Sequence, residues 1–423
     1  MAVYESMKES GIEWIGKIPA TWKTHTLYQL VTQVKNKNSD LSEQNLLSLS
    51  YGKIKRKDIN SNGGLLPESF NGYNIIEDGD IVLRLTDLQN DHTSLRVGRA
   101  TERGIITSAY TTLRPIIKDS SKYLYYLLHC FDIKKGFYGM GSGVRQGLNY
   151  DEVKELRVIM PSSSTEQSAI AAYLDDQCAK IDTLISEAKA SIEEYKQWKA
   201  SLIFEAVTKG LDPNVDMKDS GSPAIGIIPC HWKIYNFKRI CTPRKERNTG
   251  GRELLSVYLN RGVIPYSEST GMQVHKPSDN LDNYQNVNRG DFVLNNQQAW
   301  RGSVGISEYD GIISPAYYVY QLCNLCLPEY FAYLVRDISM VQQYELSSRG
   351  VGTIQRNIYE PWLQKITVPV PPLDEQREIS VFLSSKCAYI ESLIVEKDSL
   401  IKDLIAYRHS LIYEVTTGKR KVV

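Results

Sequence analysis

At 423 residues, with 42% hydrophobic and 23% charged side chains, the chain exceeds one ordinary core and has the make-up of a globular protein of two or more domains. Its 50 basic residues stand against 49 acidic ones, a net charge of +1, so any nucleic-acid contact must use local patches. No stretch nears the roughly 18 apolar residues of a membrane span, and Met1 to Lys8 lacks the charged-then-apolar pattern of a secretory leader, so the expected location is the cytoplasm.

In chain order, the first feature is a segment that returns. Met7-Lys8-Glu9-Ser10-Gly11 recurs as Met217-Lys218-Asp219-Ser220-Gly221, and Gly16, Ile18-Pro19 and Trp22 recur as Gly226, Ile228-Pro229 and Trp232. Of the 17 positions from 7 to 23, 10 are identical in the second copy, too many for chance. Each copy leads into short alternating stretches rich in Val, Ile, Thr and Tyr and broken by Gly, Asn and Asp, which read as strands and turns. Ile81 to Leu85 and Tyr317 to Tyr320 are typical. The landmarks Gly79-Asp80-Ile81-Val82-Leu83 and Gly104-Ile105-Ile106 return as Gly290-Asp291-Phe292-Val293-Leu294 and Gly311-Ile312-Ile313. A helical stretch is expected around Tyr123 to Asp132 and again around Tyr330 to Tyr344. Prolines then close each unit, at Pro161 and at Pro369, Pro371 and Pro372.

Beyond the prolines the apolar period becomes helical. Leu174, Cys178, Ile181, Ile185, Ala188, Ile192, Tyr195, Leu202 and Ala206 form one heptad seam; Leu383, Cys387, Ile390, Ile394, Ile401, Leu404, Leu411 and Val415 form the other. Thr208-Lys209-Gly210 and Thr416-Thr417-Gly418 are stop signals. Lys199 and Arg408 interrupt the seams at corresponding places. Snorkelling at the margin of a helix pair is the expected role, and fixing register is the alternative.

The fold class read from this pattern is α+β. Two similar mixed α/β domains, residues 1–160 and 211–371, are separated by a pair of long antiparallel helices, a coiled-coil spacer of residues 161–210 and 372–423, in a pseudo-two-fold internal repeat. Apolar residues off the seams exceed what one helix pair needs: Leu184, Trp198, Ile203, Phe204, Leu393, Leu400, Ile405, Tyr407, Ile412 and Tyr413. They are the candidate surface for a protein partner.

Motifs for chemistry are missing from the sequence. It holds no glycine-rich loop for S-adenosylmethionine, no Asn/Asp-Pro-Pro-aromatic tetrad and no phosphate-cradling Gly-x4-Gly-Lys-Ser/Thr loop. The glycines at 139, 141, 143 and 147 have the wrong spacing for a dinucleotide fingerprint and read as a loop. Glu152-Val153-Lys154 lacks the upstream acid of a nuclease metal site. Cys323 and Cys326 have CxxC spacing without a second pair, so no metal and no catalytic residue is expected.

Two basic runs remain. Lys53, Lys55, Arg56 and Lys57 form the first; Lys238, Arg239, Arg244, Lys245, Arg247 and Arg252 form the second. Such clusters neutralise phosphates. Arginine suits guanine and amide side chains suit adenine, which draws attention to two post-strand segments: Arg84 with Gln89 and Asn90, and Asn295-Asn296-Gln297-Gln298 with Arg301. Both basic runs also fit a solvated surface, and both segments fit ordinary polar turns.

Taken together, these features closely resemble the specificity subunits of type I restriction-modification systems, in which two variable target-recognition domains alternate with two similar helical segments. The most specific pieces are Pro371-Pro372-Leu373-Asp374-Glu375-Gln376, its degenerate copy at Pro161 to Gln167, and the duplicated Gly-x-Ile-Pro-x-x-Trp at Gly16 to Trp22 and Gly226 to Trp232. The resemblance implies a non-catalytic subunit that binds double-stranded DNA with a two-part target. Each domain reads one part, and the helices set the gap. It further implies two methyltransferase subunits docked on the helices and a restriction subunit, an ATPase-nuclease, completing the assembly. S-adenosylmethionine, ATP and Mg would sit on those partners. A specificity subunit of a methylation-only system and a self-contained DNA-modifying enzyme are the alternatives.

Overall fold

The structure is a computed structural model and describes residues 4–59, 67, 69–88, 91, 93–140, 147–248, 250–259, 261–269, 277–278, 280–351 and 355–422. It divides into two compact units, residues 1–189 with 399–423, and residues 190–398. Two long helices, Ser164–Lys209 of 46 residues and Leu373–Thr416 of 44, each contribute to both units. At about 1.5 Å per residue each is roughly 65–70 Å long.

In the first unit the repeated opening segment is a hairpin, Met7–Glu9 with Lys17–Pro19. A four-stranded antiparallel sheet follows in the order Val31–Gln33, Thr111–Pro115, Ile81–Leu83, Val97–Arg99. A second layer pairs Lys53–Arg56 with Leu47–Ser50. The parallel bridge Leu46–Ile105 links it to Gly104–Ile106, which runs antiparallel to Asn74–Ile76. The helix Ser121–Ile133 occupies the stretch expected from its apolar spacing.

The second unit repeats the plan. Its hairpin is Met217–Asp219 with Ile227–Pro229, and its first sheet runs Cys241–Pro243, Tyr317–Leu322, Phe292–Asn295, Val304–Ile306. Its second sheet runs Gly262–Pro265, Glu253–Tyr258, Gly311–Ile313, Gln285–Val287, again with one parallel pairing. The helical stretch expected near 330–344 comes in two pieces, Pro328–Leu334 and Ile338–Leu346. Asp337 breaks it: its carboxylate accepts from the Ser339 amide at 2.9 Å and caps the second piece.

The duplicated motifs are fasteners. Trp22 and Trp232 are fully buried, and each indole N–H donates to the glutamate that opens a long helix, Glu166 at 3.1 Å and Glu375 at 2.9 Å. The next residues, Gln167 and Gln376, are buried and fold back so that Nε2 donates to the Pro161 and Pro371 carbonyls, at 2.8 and 2.9 Å. The glutamates also complement the positive helix N-terminus. In the first unit Tyr123 donates to the Thr416 carbonyl at the end of the second long helix; in the second, Tyr330 donates to the Val207 carbonyl at the end of the first. Gly418, with φ +71°, turns the chain out of the helix beside Pro19 and Trp22.

Within each unit the two helical pieces run in opposite directions. In the first, the start of one helix and the end of the other share Trp22, and further along Asp182 pairs with Arg408. In the second, Trp232 holds Glu375 and lies beside Gly210, and Lys199 pairs with Glu391 at 2.5 Å. The two seam interruptions therefore each place a charged head against a part-exposed carboxylate on the opposite helix, at the margin of the pair. Ile379 and Leu383 from one helix and Ala206 and Val207 from the other enter the core around Phe237, Phe292, Tyr330 and Phe331.

One constraint repeats at the parallel pairing. A Cβ on Gly104 would lie 2.4 Å from the Asn45 carbonyl oxygen, and one on Gly311 would lie 2.6 Å from that of Glu253. Gly104→Ala is therefore expected to lower stability by about 1–3 kcal/mol. Gly72→Ala, where a Cβ has open space, should stay within about 0.5 kcal/mol of wild type. Urea denaturation midpoints distinguish the two.

Candidate nucleic-acid interface

In the first unit, Lys53–Arg56 is an edge strand, and strand alternation puts Lys53, Lys55 and Lys57 on one side and Ile54 and Arg56 on the other. Ile54 packs against the core around Leu49 and Val82. Arg56 forks onto Glu102, with Nε at 2.8 Å from both oxygens, and Lys53 reaches Asp182 at 3.0 Å. Lys55 and Lys57 are exposed and, among the described residues, engage no carboxylate. Arg84 follows the strand Ile81–Leu83, its guanidinium 3.7 Å from Asp91. Gln89 and Asn90 lie outside the described residues.

In the second unit the basic run divides by use. Arg244 is not a surface cation. Its guanidinium makes a forked contact with Asp291, at 2.6 and 3.0 Å, and the two side chains are 10% and 4% exposed. The fork holds the Arg244 guanidinium above its ordinary range, chiefly through that hydrogen bond. Asp80 receives the same kind of fork in the first unit, from Arg114 at 2.8 and 2.7 Å. Lys245 and Arg247 are exposed, Arg247 touching Asn283 at 3.2 Å.

The amide-rich segment is likewise mixed. Asn296 takes the Ile358 amide on both its side-chain and main-chain oxygens, at 2.9 and 3.1 Å, and so holds a neighbouring hairpin. Asn295 Oδ1 accepts from the Gln297 amide at 3.0 Å, and Gln297 is exposed. The carbonyl of Gln298 accepts from the Arg301 amide at 3.0 Å.

The hairpin, Ser348–Val351 with Gln355–Ile358, brings in residues that sequence reasoning missed. Arg301 lies 4.6 Å from the Trp300 ring centre and Arg356 lies 5.0 Å from it, Arg356 also pairing with Glu345 at 2.8 Å. Arg349 stacks on Tyr359 at 3.4 Å and on Trp362 at 4.5 Å. Stacking holds a guanidinium in one plane, a geometry suited to phosphates and base edges. The signal was present in the sequence: Arg349 and Arg356 stand on either side of a glycine-containing stretch, with Tyr359 and Trp362 just after it.

Of the off-seam helix residues, Leu184, Trp198, Leu400 and Tyr407 are exposed, whereas Ile203, Phe204, Leu393 and Ile405 are partly covered, Ile203 by the core of the second unit. Ile412 is 1% exposed and not available to a partner. Tyr413 donates to the Trp14 carbonyl at 3.5 Å and carries Lys134 over its ring, so it serves the first unit. Val381 and Val395, two heptads apart, are exposed and were not among the candidates.

Other chemistry-like patterns are structural. Glu152 accepts from the Asn149 amide in a capping box. Cys326 is buried in the core of the second unit, which raises its thiol pKa. Among the described residues no cluster of His, Cys, Asp or Glu could hold a metal ion, and no helix is long and apolar enough to cross a membrane.

Comparisons with known proteins agree with this architecture. Residues 229–397 match the family model of the type I restriction modification DNA specificity domain. Two Methanocaldococcus jannaschii proteins, named as type I restriction enzyme MjaX and MjaVIII specificity subunits, are each 25% identical to the chain. The matches span 71% of this chain and 68% of the first, and 76% of this chain and 75% of the second. A solved structure from work on complex assembly and conformational transition of the type I R-M system shares the fold. Its TM-score is 0.65 at 14% identity, over 94% of this chain and 98% of that one.

Joint replacement of Lys55 and Lys57 by alanine is expected to weaken DNA binding similarly for every sequence and to lower the salt slope by about one to two. Arg244→Ala should instead cost stability, by about 3 kcal/mol, because it strands Asp291. Binding isotherms over a salt series and denaturation curves separate the two effects.

Proposed function

We propose that this chain, a type I restriction-modification specificity subunit by its likeness to that family, reads a two-part DNA target and directs a methyltransferase and a restriction subunit to it without chemistry of its own. The observation that carries this reading is the duplicated scaffold with dissimilar loops: one architecture, repeated, holding two different sets of polar side chains. In the first unit the set for DNA contact is Lys53, Lys55, Lys57 and Arg84; Gln89 and Asn90, outside the described residues, join it on their chemistry alone. In the second it is Lys245, Arg247, Gln297, Gln298 and Arg301, joined by Arg349 and Arg356.

Lysines on the strand edge neutralise phosphates, while amides and stacked arginines meet base edges. The exposed apolar residues Leu184, Trp198, Leu400 and Tyr407 suit docking of two methyltransferase subunits, which carry S-adenosylmethionine. ATP and Mg belong to the restriction subunit. This chain supplies the address.

Exchanging residues 24–160 for those of another family member is expected to change one half-site and leave the other intact; a change in both would defeat the modular reading. Lengthening or shortening the helix between 165 and 207 by whole turns should alter the permitted gap between half-sites. Methylation mapping of the host genome reads both results, and an unchanged gap would count against the helices as its ruler.

A further inference from the structure

A fully buried arginine lies beneath the loop that follows Ile81–Leu83. Arg96 is 0% exposed, and all five of its N–H donors are taken. Nε donates to the Tyr138 hydroxyl at 3.0 Å, one terminal nitrogen to the carbonyls of Arg84 and Thr86 at 3.2 and 2.7 Å, and the other to those of Asp87 and Asp91 at 3.1 and 2.6 Å. Tyr138 passes its own proton to the Asp91 carbonyl at 2.8 Å, and the Asp132 carboxylate accepts from the Arg96 amide at 2.5 Å. Four carbonyls of one loop thus converge on one guanidinium. The loop is also held at an uncommon conformation for a side-chain-bearing residue, Asp87 having φ +59°.

The internal repeat says what this arrangement is for. Leu83 pairs with Val97 in the first unit as Leu294 pairs with Val304 in the second, so Arg96 and Ser303 are equivalent positions. Ser303 is also buried, and its hydroxyl donates one ordinary hydrogen bond, to the Val257 carbonyl at 3.3 Å. The same scaffold therefore folds without an arginine there. Burying a cation away from any forked carboxylate is unfavourable unless its donors are matched. What differs between the units is the loop, so the loop is what the arginine serves.

We propose that Arg96 is a positioning residue for target recognition: it sets the conformation of the Arg84–Leu88 segment before DNA arrives, so that only the first unit's half-site depends on it. The inference rests on the two-part reading given above. A loop ordered in advance loses less freedom on binding and discriminates by fixed geometry.

The test uses the full chain assembled with its methyltransferase subunits, and compares Arg96→Met and Tyr138→Phe with wild type. Binding is measured to the host target, to targets with single base-pair changes in either half-site, and to unrelated DNA. Arg96→Met is expected to lose at least tenfold of its discrimination at one half-site and none at the other, with affinity for unrelated DNA and its salt slope unchanged. Tyr138→Phe, which removes a single hydroxyl, should shift the same half-site by a smaller factor and stands in if Arg96→Met does not fold. Equal loss at both half-sites, or no loss in either variant, overturns the proposal. If wild type itself shows no two-part target, the functional reading fails, and that outcome is distinct from failure of the clamp.

Discussion

Each unit is sealed by a tyrosine hydroxyl that reaches a helix end. Tyr123 lies in the core of the first unit, its hydroxyl shared between the carbonyls of Ile159 and Thr416; Tyr330 does the same in the second with Pro369 and Val207. The last carbonyls of a helix have no partner within it, and burying them unpaired is costly. With the tyrosine in place, the helix end can enter the core. The tryptophan-to-glutamate bond fastens the other helix start to the same wall. Tyr123 and Thr416 are 293 residues apart in sequence. The first unit is therefore closed by a contact of long sequence separation, whose loop-closure entropy must be met before the contact forms.

This fastening explains which residues must recur. Trp22, Glu166, Gln167 and Tyr123, with their counterparts Trp232, Glu375, Gln376 and Tyr330, fix helix to domain, and none of them faces a groove or a loop tip. The loops between strands are free of that duty. The scaffold of each unit needs the buried tyrosine and the glycine at the parallel pairing, while the segments after Leu83 and Leu294 differ between the two.

The architecture was legible because it is written twice. Duplicated landmarks, strand alternation and two heptad seams gave the element order, and the long helices begin and end within a few residues of the proline and glycine signals. Individual side chains were less legible. A basic run does not reveal that Arg244 is consumed by Asp291 while Lys245 is exposed, because the partner lies 47 residues away, just before another strand. Apolar helix residues are ambiguous for the same reason: Ile412 is covered and Tyr407 is not, five positions apart, depending on which domain wall happens to face them. Arg96 gave no signal at all, since a lone arginine before a strand looks like a surface residue.

The two copies differ in some buried side chains and agree in others, and the agreements mark what the scaffold requires. Asp80 and Asp291 occupy one position, and each receives a forked arginine. The arginines come from different places, Arg114 within a strand and Arg244 just after one. Filling that acid is thus a demand of the fold, met by whichever neighbour the sequence offers. The position of Arg96 and Ser303 behaves in the opposite way. The backbone is equivalent, yet one copy carries a saturated guanidinium and the other a hydroxyl with a single bond. A scaffold that tolerates both imposes neither. Chemistry that differs at equivalent backbone positions must therefore answer to what the two units do differently, and the loops are where they differ.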